Sequence, residues 1–243
     1  MYPEICRIGP VTIYSYGLML LVAFGTASLL AGLQARRENI HPDLIFNFAF
    51  ISFISGIIGA RIFYIVENSG YYIKNPLEMI MLQHGGLSWF GGLIGGGLAG
   101  AAYLKNKNFP VYKALDLIAP FAALGQAIGR VGCLLNGCCF GKVSKLGIYF
   151  PVHQAVLIPT QIYSSVILIF IFIFLRLLQD RPHREREIFF AYLLLYSLKR
   201  FFIEFWRADN EIVLYGLTLF QFISIVIFCL SLVKLAAIIK TKK

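Results

Sequence analysis

Arg200, Glu204 and Arg207 stand at i, i+4 and i+7, so they share one helical face. A carboxylate between two guanidiniums can fix both in orientation. The positive charge left over can receive a phosphate, which arginine grips with two parallel N–H bonds. A second cluster is GRVGCLLNGCCFG, residues 129–141. It puts Arg130 at the end of a long apolar run, followed by a loop with three cysteines, Asn136 and glycines at 129, 132, 137 and 141. An arginine at membrane depth is costly unless something anionic meets it, and glycines let backbone fold closely around a ligand. The plainer alternatives are a self-neutralising ion cluster and an interfacial arginine reaching for headgroups above an ordinary turn. Arginines outnumber carboxylates here, which favours anion binding.

Cys133, Cys138 and Cys139 form C-x4-CC, while Cys6 and Cys229 are isolated in apolar surroundings. A zinc site needs a fourth ligand, and no CxxC or nearby histidine pair supplies one. A disulfide from Cys133 to Cys138 or Cys139, or simple loop packing, fits the spacing equally well. The residues alone leave all three open. His84, His41, His153 and His183 are read as solvated loop residues.

These groups need elements to carry them. The 243 residues are 58% hydrophobic and only 14% charged, with mean hydropathy +0.74. A soluble domain carries roughly 25% charged residues. The chain therefore reads as an all-α integral membrane protein, a single polytopic membrane domain over residues 1–243. An apolar span needs about 20 residues to cross a bilayer. Seven spans emerge: Val11–Gln34, Leu44–Glu67, Leu87–Leu104, Ala114–Leu135 interrupted by Pro120, Pro159–Leu178, Ile188–Trp206 and Tyr215–Ile239. No small-residue cleavage site follows the first, so it is read as a membrane helix.

Lysine and arginine gather in cytoplasmic loops. Alternate connections carry Arg36 and Arg37, then Lys105, Lys107 and Lys113, then Arg176, Arg181, Arg184 and Arg186, with four lysines at the C-terminal end. The N-terminus is expected outside and the C-terminus in the cytoplasm. The net charge of +10 is then mostly a topology signal, with attraction to anionic membrane lipids, and nothing further points to nucleic acid. On this orientation Tyr16, Arg61, Arg130, Arg200, Glu204 and Arg207 fall at one outer membrane level, which argues for a shared polar cavity. The third span, LSWFGGLIGGGLAGAAYL, allows close helix approach through Gly95 to Gly100. Gly91 and Gly92 flank its outer end, where backbone N–H groups can meet a headgroup.

GRVGCLLNGCCFG resembles the signature loop of the prolipoprotein diacylglyceryl transferase family. YSYGLML with Tyr16, GARIFYIV with Arg61, GGLSWFGGLIGG, DLIAP, PTQIYS, RFFIEFWR and LTLFQFIS resemble further family segments in the family's order. The resemblance covers nearly the whole chain. It implies a multi-pass enzyme of the bacterial cytoplasmic (inner) membrane. Phosphatidylglycerol would be the donor. The acceptor would be the lipobox cysteine thiol of a prolipoprotein signal peptide, and glycerol phosphate the by-product. The resemblance places Arg130 at the phosphatidylglycerol-binding arginine and Arg200 and Glu204 at an essential arginine and glutamate. Tyr16 completes the expected catalytic set. Arg130, Arg61, Asn136, Gly141, Arg207, Gly91 and Gly92 form the expected substrate-binding set. Neither a cofactor nor a metal is required by this account. Phe90 stands where family members carry a histidine, Cys133 replaces a signature asparagine, Cys138 a signature glutamate, and Ile158 another frequent histidine. The rival readings are a lipid-binding or lipid-transport protein without chemistry, and a related transferase with a different acceptor.

Overall fold

The computed structural model describes residues 1–8, 11–81 and 85–240. In chain order the elements are β1 (Glu4–Ile8), β2 (Val11–Tyr14), α1 (Ser15–Arg37), α2 (Pro42–Glu67), α3 (Ser69–Tyr72), a 3-10 turn (Pro76–Met79), α4 (Trp89–Asn106) and α5 (Val111–Asn136). They continue with β3 (Val143–Phe150), β4 (Ala155–Leu157), α6 (Thr160–Gln179), α7 (Glu187–Glu204), β5 (Ile212–Leu214), β6 (Leu217–Thr218) and α8 (Leu219–Lys240). Five helices, α1, α2, α5, α6 and α8, are long and apolar enough to cross a membrane. Large apolar side chains on them face outward: Leu29, Phe170 and Val226 are 72%, 66% and 57% exposed. An apolar exterior of this kind suits lipid rather than water.

Two expectations are corrected. The fold is mostly helical rather than all-α, because three two-stranded antiparallel hairpins, β1–β2, β3–β4 and β5–β6, occupy connections. The first and last of them take over Val11–Tyr14 and residues just before α8, which the hydropathy reading assigned to spans. Nor does Pro120 interrupt its span. Proline lacks an N–H, so the carbonyl four residues earlier loses its helical partner. The Gln179 amide meets that need, donating from Nε2 to Asp116 O at 3.4 Å and to Leu117 O at 3.3 Å. Helix α5 therefore runs unbroken through Pro120.

The chain divides into two compact units. The first comprises Met1–Leu30 and Leu115–Lys243. Its core sets Ala119, Ala123 and Ala127, one α5 stripe at four-residue spacing, against Leu168, Ile171 and Leu175 of α6 and Ile188 and Ala191 of α7. Asp116 of α5 also serves α7: its carboxylate accepts from the Arg186 N–H and, at 2.8 Å, from the Phe189 N–H. Those donors have no partner within α7 itself, so the cap comes from another helix.

The second unit, Ala31–Ala114, is built on α2 and α4. A Cβ placed on Gly59 would lie 2.5 Å from Gly91 O, and one on Gly95 2.7 Å from Ser55 O. Only bare backbone fits between these helices, the packing that small residues permit inside a membrane.

Candidate active site

The signature loop is fixed by the start of α6. Gln161 Nε2 donates to Cys138 O at 2.7 Å and Thr160 Oγ1 to Cys139 O at 2.5 Å. Both side chains belong to residues at most 2% exposed. Cys133 sits in the last turn of α5, and its carbonyl accepts the Cys138 N–H at 3.1 Å. Gly137 and Cys139 take left-handed backbone, with φ of 78° and 62°. The first is routine for glycine; the second is uncommon for a residue with a Cβ. The result turns three thiols onto one point: the Sγ atoms of Cys133, Cys138 and Cys139 lie within 4.8 Å of one another. All three are free thiols. Hydrogen bonds from the other two thiols hold the Cys139 thiol well below the usual range, and the charges of Arg207 and Arg130 act in the same direction. Asn136 ends α5 with its side chain against the Cys138 thiol.

Gly141 closes the loop by pairing with the exit of α7. Its N–H donates to Ile158 O at 2.9 Å, it bridges to Arg207, and Lys142 N–H donates to Trp206 O at 2.8 Å. A Cβ at Gly141 would fall 2.7 Å from both Ile158 Cβ and Trp206 O. Its glycine is required by that three-way approach. This joins the two clusters that the sequence offered separately.

Arg200 and Glu204 share one face of the last turn of α7, but Arg207 lies past the helix end, in the bridge to Gly141. Glu204 Oε2 lies 3.1 Å from Arg200 Nη2 and 4.0 Å from Arg207 Nε. Its other oxygen accepts from Asn210 Nδ2 at 2.6 Å and Thr218 Oγ1 at 2.9 Å. Oε2 is left with the ion pairs alone, without a hydrogen bond among the described residues, and the side chain is 0% exposed. The Arg200 guanidinium also stacks 4.7 Å over Phe220. Arg207 turns to Asp209 in a bidentate pair, Nε to Oδ1 at 2.8 Å and Nη2 to Oδ2 at 2.5 Å. Burial alone would weaken its proton, but the Asp209 bonds more than offset this and raise its pKa.

Arg130 differs. Among the described residues its guanidinium has no hydrogen-bonded or ion-paired partner, although it is more than half buried. It lies within electrostatic reach of Tyr196, Cys133, Cys139 and Arg207. Tyr16 of α1 is within reach of Arg130 and all three thiols. A Cβ on Gly132 would meet Met19 Cβ at 2.9 Å, so α1 and α5 touch just where these residues emerge. Lys199, 5% exposed, adds a further cation 4.4 Å over the Tyr196 ring. Among the described residues the carboxylates facing Arg130, Lys199, Arg200 and Arg207 are Glu204 and Asp209, with the Cys139 thiol within electrostatic reach of Arg207 and Arg130. Basic groups outnumber acidic ones, and Arg130 has no hydrogen bond or ion pair among the described residues.

Arg61 belongs to the second unit, and its five N–H donors all go to backbone carbonyls. Nε bonds Met79 O, Nη1 bonds Gly85 O and Gly86 O, and Nη2 bonds Glu78 O and Met81 O. No donor is left for a phosphate, so the substrate-binding expectation for Arg61 is replaced by a positioning one. Gly91 is likewise a packing residue: a Cβ there would strike Gly59 O at 2.3 Å. Gly92 donates its N–H to Ser88 O at 3.1 Å, so it does not present that donor to a headgroup. His84 lies outside the described residues. His153 bonds Gly137 O through Nε2 at 2.8 Å and packs 4.0 Å from Phe140, supporting the loop rather than lying free.

The sequence reading named neither Gln161 nor Thr160 as site residues, nor Asn210, Thr218 and Asp209. The only signal for the first pair was their place in PTQIYS, and for Thr218 its place in LTLFQFIS; Asp209 and Asn210 lie in a polar stretch after α7 that no spacing rule singles out.

A family model described as prolipoprotein diacylglyceryl transferase matches residues 3–237. The phosphatidylglycerol–prolipoprotein diacylglyceryl transferase of Clostridium tetani (strain Massachusetts / E88) is 34% identical over 232 residues, 93% of each chain. The protein of the same name from Enterococcus faecalis (strain ATCC 700802 / V583) is 32% identical over 93% of this chain and 87% of its own. That of Streptococcus pyogenes serotype M1 is 34% identical over 95% of this chain and 93% of its own. With the match running almost from end to end, the chain belongs to the prolipoprotein diacylglyceryl transferase family.

Proposed function

We infer that this chain transfers the diacylglyceryl group of phosphatidylglycerol to the lipobox cysteine thiol of a prolipoprotein signal peptide. It does so as a seven-span enzyme of the bacterial cytoplasmic membrane, with its N-terminus outside and its C-terminus in the cytoplasm. The observation that carries the reading is Arg130: a more than half-buried guanidinium with no hydrogen bond or ion pair among the described residues, within electrostatic reach of Arg200, which Glu204 holds in place. A phosphodiester is the anion such a pair fits.

In the reaction the thiolate sulfur attacks the glyceryl carbon that bears the phosphate ester. The C–S bond forms as the C–O bond breaks, and glycerol phosphate leaves with the electron pair as a dianion. The thiol proton goes to water. Negative charge grows on the departing phosphate, so arginines fixed beforehand stabilise the transition state more than the ground state. Arg130 takes the phosphate, Arg200 meets the developing charge, and Glu204 holds Arg200 and Arg207 apart in fixed geometry. Tyr16, beside Arg130, orients the headgroup. Asn136 and Gly141 shape the loop that carries them.

The test is purified protein given phosphatidylglycerol vesicles and a lipobox peptide. A mass gain of one diacylglyceryl group on the peptide cysteine is expected. Lipid binding without that gain would favour a lipid-binding or lipid-moving protein instead. In intact cells, a cysteine placed beside Lys142 in a background lacking the five native cysteines should react with an impermeant reagent. A tag at Lys243 should stay protected. The reverse pattern would overturn the orientation.

A further inference from the structure

The three converging thiols are more than packing requires. One disulfide would consume two of them and leave the third unexplained. Their sulfurs lie within 4.8 Å of one another, and the carbonyls of Cys138 and Cys139 are pinned by two buried α6 side chains. Zinc–thiolate bonds near 2.3 Å set tetrahedral sulfurs roughly 3.8 Å apart, so a modest inward movement closes the set around an ion. Among the described residues no histidine or carboxylate joins the group as a fourth ligand. Three protein ligands with one position left over is the pattern of catalytic, not structural, zinc. Three thiolates around a divalent cation carry one net negative charge, and Arg130 and Arg207 lie within electrostatic reach of that charge.

The geometry points to a thiophilic divalent cation, of the zinc class, held by Cys133, Cys138 and Cys139, with its fourth position taking the acceptor peptide's cysteine thiol. This rests on the transferase reading above and supplies a step that reading leaves without an agent. A free cysteine has a pKa of about 8.5 and is mostly protonated near neutral pH. Glu204 Oε1 accepts two hydrogen bonds, and Oε2, fully buried, is ion-paired with Arg200 at 3.1 Å, which commits the carboxylate to orienting that arginine. A thiol bound to zinc is deprotonated outright. Its proton passes to water, the metal-bound sulfur attacks the glyceryl carbon, and glycerol phosphate departs. The thioether product is a weaker ligand than the thiolate and leaves the metal, restoring the open position.

The full-length protein, purified under reducing conditions without chelator, is loaded with Zn2+ and assayed for metal by mass spectrometry. About one zinc per chain is expected, and close to none in the triple variant Cys133→Ser, Cys138→Ser, Cys139→Ser. Cys6→Ser should keep its metal. Loading with Co2+ gives a second readout: thiolate-to-cobalt charge transfer, whose visible bands shift when a lipobox peptide is added but not when its cysteine is serine. Because the triple variant can fail for reasons of folding, reversible stripping of the parent by a chelator is run beside it. Absence of stoichiometric metal in the parent overturns the site. Metal without a cysteine-dependent spectral shift overturns the role of its fourth position. Diacylglyceryl transfer by metal-free parent at the full rate overturns the metal's part and leaves the transferase standing. A cysteine-dependent shift with no transfer from phosphatidylglycerol removes the transferase and leaves the metal site.

Discussion

Arg130 and Arg200 have the same charge in the same cluster but opposite structural accounts, and mutation should separate them. Arg200 is paired with Glu204 at 3.1 Å, with side-chain exposures of 12% and 0%. Breaking a buried pair strands the remaining charge and costs about 3–5 kcal/mol. Arg200→Gln should fall at the low end of that range, because Arg207 at 4.0 Å still faces Glu204. Among the described residues Arg130 has no such partner, and the repulsion from Arg207 is set against the attraction of Cys133 and Cys139. Arg130→Gln should therefore leave thermal stability little changed. Its effect on transfer is the reverse: losing one preorganised donor at a developing charge typically costs about 10²–10³ in rate, or roughly 3–4 kcal/mol. Arg130→Lys keeps the charge without the planar fork and should recover only part of that. The assay is single-turnover transfer to a lipobox peptide, read by mass spectrometry, beside thermal melting of each variant. A large loss of melting temperature in Arg130→Gln, or a rate within a few-fold of the parent, would refute the assignment of Arg130 to phosphate.

Arg61→Gln should behave as a structural lesion: at about 1.5–3 kcal/mol for each bond to a charged group, losing several of its carbonyl contacts should lower melting sharply and open the 3-10 turn Pro76–Met79 to proteolysis. An unchanged protease pattern would return Arg61 to the list of ligand-binding candidates. Gly141→Ala should destabilise by roughly 1–3 kcal/mol, since its Cβ overlaps Ile158 and Trp206 and forces the loop away from α7; normal melting would mean the approach is not tight. Gln179→Ala should cost about 1–3 kcal/mol in the parent but distinctly less in a Pro120→Ala background, where Asp116 O regains a helical N–H. Equal costs in both backgrounds would dismiss the link between Gln179 and Pro120.

Helix positions were legible because hydropathy alone writes them: α2, α5 and α6 begin and end within a few residues of the expected spans. The hairpins were not. β5 has three residues and β6 two, too few for any alternation to register. Pro120 misled for a different reason, since the amide that repairs its missing bond lies on α6, far away in sequence. The Arg200–Glu204 pair was written in its i, i+4 spacing, whereas Arg207 reaches Glu204 from beyond the end of α7. Arg61 was not legible, because an arginine bonded to five carbonyls and one awaiting a phosphate look alike in a sequence. C-x4-CC showed three thiols but not their convergence, which depends on the left-handed backbone at Gly137 and Cys139.

The carbonyls that satisfy Arg61 come later in the chain than the arginine itself, the most distant belonging to Gly86, 25 residues on. At about 5–20 residues per second of synthesis, this guanidinium exists for roughly 1–5 s before its last acceptor has been made. During that interval α2 must enter the bilayer with an uncompensated charge near its end, against a cost of about 2.5–3.5 kcal/mol for an arginine at the centre of a span and less toward the edge. The other apolar residues of α2 have to carry that burden alone. Relief arrives with the segment immediately ahead of α4, whose glycines then lock against Gly59. Neutralising the arginine and docking α4 are consequently consecutive events in biogenesis. A variant that weakens the first should surface as poor membrane insertion and rapid turnover of nascent chains before any finished enzyme can be assayed.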